Sequence, residues 1–338
     1  MNAVILEKPG SFRIASLDPM GRPGPNEAVV RVRRVGVCGT DLHAFRGRQP
    51  FFAYPRILGH ELGVEILDAG PDDAGLKAGD RCAVEPYLYC GRCVACRRGK
   101  TNCCANLKVL GVHVDGGMRE QLIIPTSHLH KSAALSFDQL ALAEMLCIGM
   151  HALDRASLSP DDTLLVVGAG PIGLSVIEFA RLAGVPVAVM DINEKRLDYC
   201  RNTLKIAHCL GASPDPAPQL RDCFQGELPT VVMDCTGNPQ SMTNAFHYVA
   251  PGGKLVFVGL FTGEVTFDDP SFHRNEMTLL STRNATRHDF KRVLPLMESG
   301  IIDVDRWVTH RIPYTGLAAQ LPAWIESGVE FRKAIVEW

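Results

Sequence analysis

The sequence predicts a two-domain α/β chain, a β-rich lobe followed by a doubly wound parallel sheet. Three observations predict it. The length, 338 residues, is about two domains at ~150 residues each. The texture changes near residue 150, from Gly- and Pro-rich short runs to apolar strands alternating with helical segments. A GxGxxG turn then lies between a strand and a helix, with an acid ending the next strand.

In the first third, residues 28–33 (Ala-Val-Val-Arg-Val-Arg) alternate as a half-buried strand does. Pro19, Pro23, Pro25, Pro50 and Pro55 punctuate this stretch, which reads as a compact β lobe with irregular loops. From residue 163 the pattern is different. Residues 163–167 form a continuous apolar strand ending at Gly168, residues 172–183 an amphipathic helix, and residues 187–190 a second strand. Strand signals recur at 230–233, 254–258 and 277–280. Continuous apolar strands between helices imply a parallel sheet covered on both faces. The pattern stops after about residue 284. A helix at 290–297, a strand at 307–312 and a short helix to 325 follow. That tail is too short for a domain and is expected to complete the first lobe. The expected division is 1–150 with 285–338, and 151–284.

Composition bounds the function. With 46% hydrophobic and 21% charged residues the chain is neither disordered nor of low complexity. Lys+Arg 35 against Asp+Glu 37 leaves a net charge of −2, so no nucleic acid or anionic membrane is expected as partner. The longest apolar candidate, residues 135–153, contains Asp138 and Glu144 and falls short of the ~18 uncharged residues of a membrane span. Glu7 and Lys8 interrupt the first ten residues where a secretory signal needs an apolar core. A soluble, cytoplasmic chain is expected.

The GxGxxG is Gly168-Ala169-Gly170-Pro171-Ile172-Gly173. Gly168 permits the tight turn, Gly170 lets backbone approach a pyrophosphate, and Gly173 lets helix and strand pack closely. The helix opening at Pro171 and Ile172 offers unpaired N–H groups to phosphate oxygens. Asp191, 21 residues after Gly170, can accept the ribose hydroxyls and would repel a 2′-phosphate, so NAD is expected rather than NADP. Arg196 is the counter-signal, since a nearby guanidinium can reach a phosphate. The plain alternative is a glycine-rich turn in a nucleotide-free domain.

Twelve cysteines in a chain expected to be cytosolic argue for metal rather than disulfides. Cys90, Cys93, Cys96 and Cys104 are separated by two, two and seven residues. Four thiolates on one loop can close a tetrahedron around Zn²⁺, a structural site with no open position. Cys103 is an alternative fourth ligand, and a redox CxxC is the competing reading. Cys38 and His60 are ligand types too, but taken alone they read equally as a core cysteine and a loop histidine.

Taken together, these motifs and two others carry a resemblance. Cys-Gly-Thr-Asp at 38–41, Gly-His-Glu at 59–61, the four-cysteine loop, Gly116-Gly117 before Glu120, and the Gly168 turn occur in one order. Along nearly its whole length the chain resembles the zinc-dependent medium-chain dehydrogenase/reductase family (the alcohol dehydrogenase superfamily), in its sorbitol, threonine and sugar-acid dehydrogenase branch. The resemblance implies a GroES-like β-rich catalytic domain carrying two Zn²⁺, one catalytic and one structural. A Rossmann doubly wound sheet would hold NAD, with the substrate cleft between the domains. By the same resemblance Cys38 and His60 hold the catalytic zinc, Glu61 is the adjacent acid that can swing onto it, and Asp41 orients the histidine. Glu144 falls where polyol dehydrogenases carry a glutamate near the metal. Met145 and Cys147 stand where that branch has proline and serine, so Cys147 is a rival third ligand.

The implied reaction is oxidation of a secondary alcohol to a ketone, with hydride passing to NAD. Thr40 would take the hydroxyl proton and His43 pass it to solvent. Their plain readings are a satisfied loop hydroxyl and an exposed or ribose-contacting histidine. Arg283 resembles the arginine that faces the cleft in polyol dehydrogenases; its alternative is a salt bridge at the domain junction. The implied substrate is a polyol, sugar acid or sugar derivative, with pocket residues Phe51, Phe52 and His113. An L-threonine 3-dehydrogenase-like enzyme is the nearest rival. A non-catalytic NAD-binding sensor or structural protein and a zinc-ribbon nucleic-acid module are the others. Family membership implies a homo-oligomer, a tetramer or a dimer.

Overall fold

The computed structural model describes residues 1–49, 52–71, 75–327 and 332–338; Pro50 and Phe51 lie outside them. The chain divides into two compact units, Met1–Cys147 with Ala285–Trp338, and Ile148–Asn284.

The first unit is built on a seven-stranded sheet. Its path runs Leu129–Lys131, Arg81–Val84, Glu61–Ala69, Glu27–Val37, Lys333–Glu337, Val308–Pro313, and Gln121–Pro125 also pairs with Glu27–Val37. The chain's last strand therefore lies antiparallel beside one of its first, with Ile335 opposite Gly36, and Gly36 is in turn opposite Glu61. Smaller sheets join Asn2–Lys8 to Ser11–Ser16 and Arg56–Ile57, and Tyr87–Leu88 to Lys108–Val109. Valine, leucine and isoleucine side chains of the long strands, among them Val30, Val32, Val35, Leu62, Val64, Ile66, Leu122 and Ile124, form one buried core.

Strand Glu27–Val37 departs from the expected alternation. After half-buried Glu27, three consecutive residues, Ala28, Val29 and Val30, are buried before Arg31 reaches water. The cause is pairing on both edges, to residues 65–69 and to residues 121–125, with a bulge between Val29 and Val30 that breaks the two-residue period. Residues 307–312 also differ slightly. Asp305–Trp307 is a 3₁₀ turn that buries Trp307, and the strand begins at Val308.

The second unit is a six-stranded sheet, parallel throughout. Its order is His208–Gly211, Val187–Asp191, Leu164–Val167, Val231–Asp234, Lys254–Phe257, Thr278–Ser281. In sequence order this is 3-2-1-4-5-6, the Rossmann arrangement. Leu164–Val167, Val187–Asp191 and Val231–Asp234 are buried at every position, as a sheet covered on both faces requires. The two edge strands are not. His208–Gly211 gives no apolar run and is missed by pattern, while Thr278–Ser281 is apolar in sequence yet largely exposed. Helix Pro171–Ala183 starts with proline, whose missing N–H costs nothing there, and ends at Gly184 with φ 74. Among the described residues no helix is long and apolar enough to cross a membrane.

Candidate active site and metal centres

Helix Gly39–Phe45 is the first positioning device. Cys38 caps it, and the Asp41 carboxylate, three residues on, accepts the Cys38 N–H at 2.9 Å. This reciprocal cap fixes where the Cys38 thiol stands. His60 and Glu61 follow from the loop and first position of strand Glu61–Ala69. All three ligand atoms, the Cys38 Sγ, a His60 ring nitrogen and a Glu61 carboxylate oxygen, lie within 4.8 Å of one another. Donors sharing one zinc at ~2.0–2.3 Å stand roughly 3.5 Å apart, so a small contraction closes the set.

The chemistry of the donors also fits a cation. His60, Asp41 and Glu61 are 6%, 1% and 1% exposed, yet His60 Nδ1, Asp41 Oδ1 and Glu61 Oε2 have no hydrogen-bond partner. Burial alone would strip the proton from His60, but Cys38, Asp41 and Glu144 outweigh it and hold the imidazole well above its ordinary value. Burial pushes the carboxyls of Asp41 and Glu144 up, with His60 opposing in each case. A divalent cation among these donors would take the place of the protons that burial otherwise favours on the carboxyls.

The other residues expected here are placed as follows. Glu144 projects from helix Phe137–Ala156, is 5% exposed, and accepts a hydrogen bond from the Tyr87 hydroxyl through Oε1. It interacts electrostatically with His60 and Glu61 but is outside the 4.8 Å set. Cys147 is fully buried, its thiol driven well up by burial and then by Asp289, Glu144 and Glu85, and it too is outside the set. Asp41 makes its hydrogen bond to the Cys38 amide and acts on His60 through charge. Thr40 is half-buried on the first turn of the helix. His43 is exposed at its outer end, where partial burial and then Arg46 and Arg48 lower its imidazole. Phe52 packs edge-on against Tyr54 at 4.8 Å, and the His113 ring accepts the Val109 N–H at 3.1 Å.

Sequence reasoning missed two side chains. Tyr87 is the partner of Glu144. Lys333, from the last strand, is 2% exposed and its Nζ sits 2.5 Å from Glu61 Oε1. The only signal for Lys333 was a cation opening an apolar strand.

The second cluster is the loop 90–104. The sulfurs of Cys90, Cys93, Cys96 and Cys104 lie within 4.8 Å of one another. Cys103 is exposed and outside the set. Backbone N–H groups of Cys90 and Asn106 both point at Cys104 Sγ at 3.3 Å. Those of Cys96 and Ala105 draw Cys93 down to about 6, whereas burial and then the neighbouring sulfurs push Cys96 up to about 12. Backbone N–H groups of Arg92 and Cys93 lower Cys90 as well, and a zinc ion is what would accept all four sulfurs.

In the second unit Gly168 has φ 95, and a Cβ on Gly173 would stand 1.8 Å from the Gly168 carbonyl oxygen. Gly170 caps helix Pro171–Ala183, with Ile172 half-buried on its first turn. Asp191, 6% exposed, accepts N–H groups from Ala169 at 2.6 Å and Asn193 at 2.8 Å. It therefore ties the glycine turn to the end of the neighbouring strand. Arg196 reaches within 3.6 Å of the Asp191 carboxylate. Arg283 is exposed, two residues beyond strand Thr278–Ser281.

Comparison with known proteins decides the family. The alcohol dehydrogenase GroES-like domain matches residues 24–134 and the zinc-binding dehydrogenase domain residues 171–299. L-galactonate-5-dehydrogenase of Escherichia coli K12 is 40% identical over 336 residues, 99% of this chain and 98% of its own length. The chain belongs to the zinc-dependent medium-chain dehydrogenase/reductase family. L-idonate 5-dehydrogenase of Vitis vinifera is 31% identical, over 86% of this chain and 82% of its own. A crystal structure of a short chain alcohol dehydrogenase from E. coli CFT073, complexed with cofactor NADH, superposes with TM-score 0.90 at 27% identity, covering 100% of this chain and 99% of that one. As a member of this family the chain is an oxidoreductase acting on CH–OH donors.

Proposed function

We propose that this chain oxidises a secondary hydroxyl of a sugar acid or closely related polyol to a ketone and delivers the hydride to NAD. The observation that carries the reading is the convergence of half-buried Cys38 with buried His60 and Glu61 on one point. The sugar-acid assignment draws on L-galactonate-5-dehydrogenase and L-idonate 5-dehydrogenase, two relatives whose names state that chemistry.

Zinc bound at Cys38, His60 and an acid would supply the Lewis acidity that eases loss of the hydroxyl proton, and NAD would accept the hydride. The chain's own residues do the rest. Cys38 and His60 hold the metal, with Glu61 as the acid in reach and Glu144 as the second acid, held off by Tyr87. Thr40 Oγ1 receives the substrate proton. His43, whose imidazole is lowered by partial burial and then by Arg46 and Arg48, passes it to water. Gly168, Gly170, Pro171, Ile172 and Gly173 form the pyrophosphate cradle, and Asp191 rejects a 2′-phosphate despite Arg196 beside it. Arg283 supplies the cation that a carboxylate-bearing substrate needs. Cys90, Cys93, Cys96 and Cys104 hold the structural zinc. The working form is a cytoplasmic homotetramer.

The test is a spectrophotometric screen for NADH formation by zinc-loaded protein across aldonates, polyols, sugar phosphates and L-threonine, with NAD⁺ and NADP⁺ side by side. Preferential turnover of an aldonate with NAD⁺ is expected. Preference for L-threonine, or inertness across the panel, defeats the reading.

A further inference from the structure

Helix Gly39–Phe45 carries a group of cations at its far end. His43 lies in its last turn, Arg46 caps it, and Arg48 follows. Gly47, with φ 71, turns the chain back. Its N–H donates to the Ala44 carbonyl at 3.0 Å and that of Arg48 to the His43 carbonyl at 2.8 Å. This paired closure of the helix end fixes Arg48 beside His43. Both guanidiniums act on the His43 imidazole, so the charges stand close together. His43, Arg46 and Arg48 are all exposed. No acid offsets them. Residues 42–60 contain no Asp or Glu, and Asp41 just before them is 1% exposed and accepts the Cys38 N–H. Among the described residues neither Arg46 nor Arg48 forms a salt bridge. The helix dipole is a weak reason for the pair, since it acts only over the last turn and Arg48 lies beyond it. Their direction from the reacting point is more informative. Thr40, His43 and Arg46 are spaced by three residues, so each stands beside the next along one side of the helix. Cα–Cβ bonds on a helix lean toward its N-terminus, here toward Cys38 and Thr40. From Thr40 to Arg46 the axis advances about 9 Å, comparable to the length of a six-carbon chain.

We propose that Arg46 and Arg48 hold the anionic group at the far end of the substrate, a carboxylate on the sugar-acid reading. The reacting hydroxyl then lies at the Thr40 end of the same helix. Each guanidinium offers a planar fork of N–H donors that matches the two oxygens of a carboxylate. The inference rests on the function proposed above and deepens it, adding a second cationic contact to that of Arg283.

The experiment is titration calorimetry on full-length, zinc-loaded protein saturated with NADH, to which an alcohol substrate binds but cannot pass its hydride. The probes are L-galactonate, its neutral alditol galactitol, and galactitol 1-phosphate. The double variant Arg46→Gln/Arg48→Gln is expected to bind L-galactonate ~10–100-fold more weakly than the parent, and galactitol within about twofold of it. Its NADH affinity should be unchanged. Arg22→Gln, at another exposed arginine of the same unit, should alter no affinity. Equal losses for galactonate and galactitol overturn the proposal, because the arginines then act only through His43 or the fold. A matching loss of NADH affinity also overturns it, since the cofactor's phosphates are then their anion. So does a parent protein that binds neither anionic probe more tightly than galactitol. So, too, does an anion preference that survives in the double variant and vanishes in Arg283→Gln. The sugar-acid reading fails separately, if the parent prefers galactitol 1-phosphate to galactonate; loss of that preference in the double variant still supports the arginine subsite.

Discussion

Two glycines three residues apart make opposite demands, and alanine at each separates the protein's needs from the ligand's. At Gly173 an added Cβ would fall 1.8 Å from the Gly168 oxygen and 2.9 Å from its carbon, both backbone atoms. The helix and the turn would have to part by roughly 1 Å, in an interior that yields reluctantly. At Gly170 the nearest atom to an added Cβ is Arg196 Nη1, at 3.7 Å, an ordinary contact. Gly173→Ala should therefore cost stability, ~1–3 kcal/mol by the usual penalty for overpacking. Displacing the helix N-terminus should also weaken NADH binding by ~10–100-fold, equivalent to ~1.4–2.8 kcal/mol. Gly170→Ala should leave the melting temperature of the cofactor-free protein nearly unchanged and still weaken NADH binding, because only the incoming pyrophosphate meets the new methyl. Thermal melts of cofactor-free protein and NADH titration by fluorescence read both quantities. If Gly170→Ala binds NADH as tightly as the parent, the phosphates do not lie over this turn and the cradle is misassigned.

Other outcomes follow from the same geometry. Cys38→Ser should abolish turnover and lower the zinc content from about two ions per chain to about one, with NADH binding intact; metal analysis alongside NADH titration checks it. Cys104→Ser should lose the other ion and destabilise the loop 90–104, while Cys103→Ser, at an exposed thiol outside the cluster, should lose neither metal nor stability. Burial would raise the Asp80 carboxyl, but the Lys131 ammonium at 2.8 Å and the Lys77 amide outweigh it and hold it below its ordinary value. A depressed carboxylate adds stability above its unfolded pKa and loses it as pH falls through the folded one. Lys131→Met should therefore cost about 0.5–1 kcal/mol near neutrality, a difference that shrinks below roughly pH 4; denaturant melts across pH test the sign.

What the sequence made legible follows from where each residue's environment is decided. Leu164–Val167 and Val231–Asp234 are buried on both faces, and a continuous apolar run can mean little else at that length. The edge strands escape this logic. Thr278–Ser281 has the composition of an inner strand yet is exposed, and His208–Gly211 has none of it; only the neighbour count distinguishes them. The four-cysteine loop is a local object, so spacing alone brought its sulfurs together. The site around Cys38 is not. Its cap with Asp41 is local, but Glu144 arrives on a helix, Tyr87 on a short strand, and Lys333 on the final strand. No pattern within a dozen residues of Lys333 shows that its ammonium is buried, because its partner belongs to another part of the chain.

The placement of Lys333–Glu337 between strands Glu27–Val37 and Val308–Pro313 has a consequence for biosynthesis. Residues 148–284 form an uninterrupted unit and can close while still attached to the ribosome. The flanking unit must wait, its sheet open along Arg34–Val37 until Lys333–Glu337 has been made. During that interval Arg34–Val37 presents an unpaired edge, the moment at which chaperone capture or mispairing between nascent copies is most to be expected.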